Sequence, residues 1–142
     1  MKKLIPALLL ITFMSCTKEQ ITSPVPNNQS VSASSSPISL KTDNIFINDF
    51  KAQQAGGNKT IVSFNTLFQK EVKTLEILKG TSENNLCSIY KVDITDDTFS
   101  SIQYLTEDKP GANSASLYYM VKFTLQNNDW GYTPVYTLRC QQ

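Results

Sequence analysis

Few residues in this 142-residue chain could do chemistry, and the most useful type is missing, because there is no His. Without His there is no Ser-His-Asp or Cys-His nucleophile and no His-ligated zinc. Ser is abundant, yet no Gly-x-Ser-x-Gly elbow exposes one as a nucleophile. Asp93, Asp96 and Asp97 form an acidic run of the kind that attracts Ca²⁺. The spacing is not that of an EF-hand, and its Gly and distal Glu are lacking, so the run reads as a solvated loop. Glu71, Glu76, Glu83, Glu107 and Asp108 supply carboxylates, but no pair is spaced as an acid/base dyad. Gly56-Gly57 is followed by Asn58-Lys59-Thr60, which lacks the spacing of a phosphate-binding loop. No catalytic residue, metal ligand or cofactor is expected, and the chain reads as a non-enzyme.

The aromatic residues are more suggestive. Trp130 and Tyr132 lie at or beside the turn that precedes the last apolar run, and Tyr136 follows within it. Exposed, Trp130 and Tyr132 would stack on sugar rings or anchor a protein partner. Alternatively, Tyr132 and Tyr136 pack inside the domain and Trp130 caps its end. The two readings differ in exposure alone, which the sequence does not give.

The elements that position these residues begin with an N-terminal segment. Met1-Lys2-Lys3 is positive, and residues 4–14 (LIPALLLITFM) are an apolar run of eleven. A membrane-crossing helix needs ~20 residues, so the run has the length of a secretory signal. It ends in Phe13-Met14-Ser15-Cys16, a small residue before a cysteine, which resembles a bacterial lipoprotein lipobox with Phe13 in place of the usual Leu. The resemblance implies cleavage before Cys16, a diacylglycerol on its thiol and acylation of the new amino group, with palmitate a typical chain. Two acyl chains hold a protein stably on a membrane. The expected location is the cell envelope, anchored to the outer membrane, with the leaflet left open.

Removal of residues 1–15 leaves 11 basic against 12 acidic residues, net −1. No charge patch remains to recruit DNA or anionic lipid, so no nucleic-acid partner is expected. Residues 17–40 hold seven Ser and three of the six Pro and no aromatic residue. Such a composition buries too little apolar surface to offset ordering entropy. It reads as a disordered tether spanning ~27 Å on average.

Residues 41–142 read as one β-rich domain of about seven strands, an all-β sandwich. Short β-branched and aromatic runs are separated by turn residues. In residues 116–125, Tyr119, Val121, Phe123 and Leu125 alternate with Tyr118, Met120, Lys122 and Thr124, the pattern of a half-buried strand. Pro134 marks an edge or a bulge in the last strand. One stretch allows a different reading. Phe68, Val72, Leu75 and either Leu78 or Lys79 fit helical spacing, Thr66 to Gln69 could form a capping box, and Gly80 could stop a helix. The alternative fold is therefore α+β, with one helix near residues 66–79.

Ile61-Val62-Ser63-Phe64-Asn65, then Leu75-Glu76-Ile77, then residues 104–111 (YLTEDKPG) and Tyr118-Tyr119-Met120-Val121-Lys122 resemble the fibronectin type III-like domains of secreted and lipid-anchored bacterial proteins. Phe64 stands where that family usually has Trp. The resemblance favours the sandwich and implies that Tyr119 is the corner tyrosine, with its ring in the core and its hydroxyl bonded to nearby backbone. Cys87 and Cys140 make an even pair in an oxidising compartment, which suits a disulfide. In a fibronectin-type sheet their strands flank two others, a separation of ~14 Å against a limit of ~7 Å between Cα atoms. Bridged or free, both readings stay open.

The expected function is a lipid-anchored envelope protein with a non-catalytic adhesion or protein-interaction module. The alternatives are a carbohydrate-binding accessory of an outer-membrane uptake system, or a structural subunit of an envelope complex. The expected partners are the membrane, through the lipid, and a protein or a glycan.

Overall fold

The structure, a computed structural model, describes residues 36–56, 59–109 and 116–140. Cys16, the apolar run before it and the tether as far as Ser35 lie outside the described residues. The strands are β1 (Ile38–Lys41), β2 (Ile45–Ala55), β3 (Lys59–Gln69), β4 (Val72–Gly80), β5 (Leu86–Asp93), β6 (Ile102–Asp108), β7 (Ser116–Leu125), β8 (Trp130–Tyr132) and β9 (Tyr136–Arg139). They form two antiparallel sheets. One has the order β1-β2-β3-β6; the other has the order β5-β4-β7-β8, with β9 also on β7. The domain is an all-β sandwich.

Alternation builds the core. Leu117, Tyr119, Val121 and Phe123 of β7 face inward beside Leu75 and Ile77 of β4. They meet Ile45, Ile47 and Phe50 of β2 and Val62 and Phe64 of β3 from the other sheet. Phe50 joins the sheets, its ring edge-on to Phe64 at 6.3 Å and to Tyr136 at 6.1 Å. Phe64 stacks on Tyr104 across the β3–β6 pair at 4.9 Å. Aromatic pairs at these spacings contribute about 0.5–1.5 kcal/mol beyond the area they bury.

Bulges interrupt the alternation and account for the misleading signals. In β2 the register shifts between Asn48 and Lys51, where Asp49 has φ 57°. Buried positions therefore pass from Ile45 and Ile47 to Phe50 and Ala52, changing parity. In β4 the register against β7 shifts between Val72 and Thr74. The bulge places Val72 and Leu75, three apart, both in the core, and that interval imitates a helical period. The helix that the alternative α+β reading placed near residues 66–79 is not formed. Those residues are the end of β3, a sharp corner and β4. Glu71 in the corner has φ 55°, a left-handed conformation that a right-handed helix cannot contain.

Other boundaries differ from expectation. All of β1 but Lys41 lies inside the stretch read as tether. Ile38 is buried against β2, so four alternating residues fold despite their Ser-rich context. β6 starts only at Ile102, leaving Phe99 76% exposed. The last strand is broken at Thr133-Pro134-Val135, as Pro134 requires. Thr133 bridges the break, its amide donating to Val121 O at 2.9 Å and its hydroxyl accepting from Val121 N at 3.0 Å.

A second, smaller apolar cluster forms on the outer side of the five-stranded sheet. Leu78, Leu86, Met120 and Val135 are buried there, with Tyr118 and Tyr132 packed alongside.

Candidate functional site

The turns at one pole of the sandwich are pinned by hydrogen bonds that leave little freedom. The Lys70 amide donates to Asn44 O at 2.7 Å, the Glu71 amide to Asp97 Oδ1 at 2.6 Å, and the Gln126 amide to Glu71 O at 2.8 Å. The Gln69 and Thr98 backbones exchange two bonds of 2.8 Å. Asp97, part of the acidic run, thus holds the positive-φ corner between the sheets, and Asp96 accepts from the Thr95 hydroxyl at 2.9 Å. Among the described residues, no group of three or more His, Cys, Asp or Glu could hold a metal ion.

The turn before Trp130 is equally well defined. The Leu125 amide donates to Asp129 O at 2.7 Å and the Asn128 amide to Leu125 O at 2.9 Å. Asn127 both donates its Nδ2 to Asp129 Oδ2 and accepts from the Asp129 amide. Asn128, at φ 68°, accepts from Lys73 Nζ at 3.0 Å. Asn tolerates that left-handed conformation better than most residues, which explains the Asn-Asn-Asp composition.

β8 follows at once and alternates. Gly131 faces Phe123 across the ladder, and a Cβ there would lie 2.5 Å from the Phe123 ring. Gly131 therefore lets a core ring reach the backbone of β8. Trp130 and Tyr132 consequently point to the opposite, outer face, two residues apart on one strand. Their ring centroids are 5.1 Å apart, tilted by 58°. Trp130 is 43% exposed. Tyr132 is half-buried against the small outer cluster, which props its ring from below. Tyr136 separates from this pair and is buried in the main core. The structure therefore joins Trp130 with Tyr132 on the surface and removes Tyr136 from the group.

Register extends the site. Tyr132 lies opposite Lys122, Lys122 opposite Glu76, and Glu76 opposite Lys91. The next row runs from Trp130 through Thr124 and Thr74 to Asp93. The outer face thus carries an aromatic pair at one edge and, across ~14 Å of sheet, a cation–anion–cation row. Sequence reasoning found Trp130 and Tyr132 but missed Glu76, Lys91 and Lys122 as their neighbours. Lys122's face was readable from the alternation of β7; the cross-strand register was not.

The opposite pole holds a buried polar group of a different kind. Tyr119 donates its hydroxyl to Asp108 Oδ2 at 2.7 Å, and Lys79 Nζ bonds both Asp108 oxygens. Tyr119 is fully buried and Asp108 nearly so. Burial first, then the bond to Asp108 and its charge, push the Tyr119 phenol far above its ordinary range. The corner-tyrosine resemblance implied a backbone acceptor; the hydroxyl instead goes to a carboxylate. Tyr104 donates to the buried Gln69 side chain at 3.1 Å, and burial raises its phenol too.

Cys140 is a free thiol, so the Cys87–Cys140 bridge is not formed. The register gives the reason. Cys87 faces Lys79, Lys79 faces Tyr119, and Tyr119 faces Tyr136, four residues before Cys140. Three strand spacings put the two cysteines' strands ~14 Å apart, twice the reach of a disulfide.

Comparison with protein-family models, with curated proteins and with solved structures returns no match to this chain.

Proposed function

We propose that this protein is a lipid-anchored envelope protein whose β-sandwich is a non-catalytic adhesion or interaction module held outward on a tether. The observation that carries the reading is the order of parts in the chain. A short positive start and an eleven-residue apolar run end in Ser15-Cys16, a Ser/Pro-rich stretch follows, and then the sandwich. The surface of the sandwich supports a binding role: it presents an exposed Trp130 beside a half-buried Tyr132. The strand order supports the fibronectin type III-like likeness, with β5 flanking β4, β8 and β9 flanking β7, and Tyr119 buried between the sheets.

Chain direction adds to it. β1 runs toward the pole that carries the Trp130 turn, since Lys41 pairs with Phe46 and Ile38 with Phe50. β1 therefore begins at the other pole. An anchor N-terminal to β1 leaves the Trp130 pole facing away from the lipid, and the tether before β1, ~25 Å on average, gives it clearance.

Metabolic labelling with a radioactive fatty acid tests the reading in cells expressing the full chain. Label and membrane association are expected in the natural protein and lost in Cys16→Ala. Unlabelled protein, or non-reducing peptide maps in which Cys16 is disulfide-linked, would overturn it.

A further inference from the structure

We propose that the outer face of the five-stranded sheet is a glycan site. One pyranose ring stacks on Trp130 beside Tyr132, and the hydroxyls of the adjoining unit bond to Lys122, Glu76 and Lys91. This names the ligand class of the module proposed above and rests on that reading for its biological setting.

A sugar ring has an apolar C–H face and a rim of hydroxyls that both donate and accept. The site offers the complement of each. Trp130 is exposed and cannot turn inward, because Gly131 is fixed against Phe123 and the 126–129 turn is closed by four hydrogen bonds. Tyr132 holds the second ring at 5.1 Å, supported by the buried Leu78, Met120 and Val135. Such a platform loses little conformational freedom on binding. Glu76, two strand spacings or ~10 Å from Tyr132, accepts hydrogen bonds, while the lysines on both sides of it donate.

The surroundings favour a glycan over a protein. A protein hot spot is an aromatic group at the centre of a patch that becomes fully desolvated. From Trp130 the facing row is Thr124, Thr74 and Asp93, and from Tyr132 it is Lys122, Glu76 and Lys91, all polar and spread across three strands. Covering the latter row with a protein surface would strip water from three charges, whereas hydroxyls replace the water bond for bond.

Trp130 is the chain's only tryptophan, so its emission reports on the site directly. The full-length protein in detergent is titrated with cello-, chito- and manno-oligosaccharides, from disaccharide to hexasaccharide. At least one series is expected to shift the emission saturably. By calorimetry, Trp130→Ala and Glu76→Gln, each with an unchanged far-ultraviolet circular dichroism spectrum, should weaken it by about tenfold. Glu76→Gln serves alone if Trp130→Ala does not fold. No response to any series, undiminished binding by either folded variant, or a purified protein partner that alone depends on Trp130 overturns the proposal. Fatty-acid labelling separates the two readings: a labelled protein that ignores every saccharide sinks only the glycan site, and an unlabelled one that binds sinks only the anchor.

Discussion

The Tyr119 hydroxyl donates to Asp108 Oδ2 at 2.7 Å across the interior of the sandwich. Asp108 ends β6 in one sheet and Tyr119 lies on β7 in the other, so the bond ties the two layers at one pole. Lys79 of β4 neutralises the carboxylate from the same side as Tyr119. A carboxylate so nearly buried is tolerable only when it is paired and fully hydrogen-bonded.

Asp108→Ala is expected to cost about 3 kcal/mol in urea unfolding, because it leaves both Lys79 and the Tyr119 hydroxyl without their acceptor. Tyr119→Phe should cost about 1–2 kcal/mol. A double-mutant cycle should give a coupling of about 1 kcal/mol or more between them. Additive losses would show that the bond does not hold the sheets together.

Alkaline pH should unfold the protein through the same residue. The folded state raises the Tyr119 phenol, chiefly by burial, so the native protein keeps a proton that the unfolded chain releases near pH ~10. The stabilisation is therefore complete below pH ~10 and declines above it, by up to ~1.4 kcal/mol per pH unit for this group. Tyr104 and Tyr136, also raised by burial, add to the slope. Urea midpoints between neutral and strongly alkaline pH should fall less steeply in Tyr119→Phe; an unchanged slope would contradict the assignment.

Gly131→Ala places a Cβ 2.5 Å from the Phe123 ring. Phe123 is packed in the core and has little room to retreat, so a loss of about 1–3 kcal/mol is expected. Since β8 must move, the emission of Trp130 should shift too. A stable variant with unchanged fluorescence would mean that β8 is looser than its register indicates.

Cys140 is half-buried and free. Iodoacetamide applied to the native protein without reductant should therefore label it. A peptide linking Cys87 to Cys140 in the same digest would require β5 and β9 to approach far more closely than three strand spacings allow.

The all-β architecture was largely readable from local pattern. β7 was expected and found over residues 116–125, because its strict alternation has no bulge to disturb it against the core. The break at Pro134 followed from a missing amide. The 66–79 stretch was ambiguous because a bulge at Lys73 sets Val72 and Leu75 three apart, and local spacing does not distinguish a bulged strand from a helical turn.

Sequence by itself determined the kinds of element in this protein, the absence of His chemistry and the pair Trp130 and Tyr132, since each depends on residue type or on neighbours a few positions away. Tertiary structure decided what those elements face. It buried Tyr136 while leaving Trp130 exposed, joined Tyr119 to Asp108, aligned Lys122, Glu76 and Lys91 in one row, and kept Cys87 from Cys140. Each of these depends on the register between strands distant in sequence. A shift of one residue would turn every side chain of a strand to the other face, and only the packing of the whole core selects among such registers.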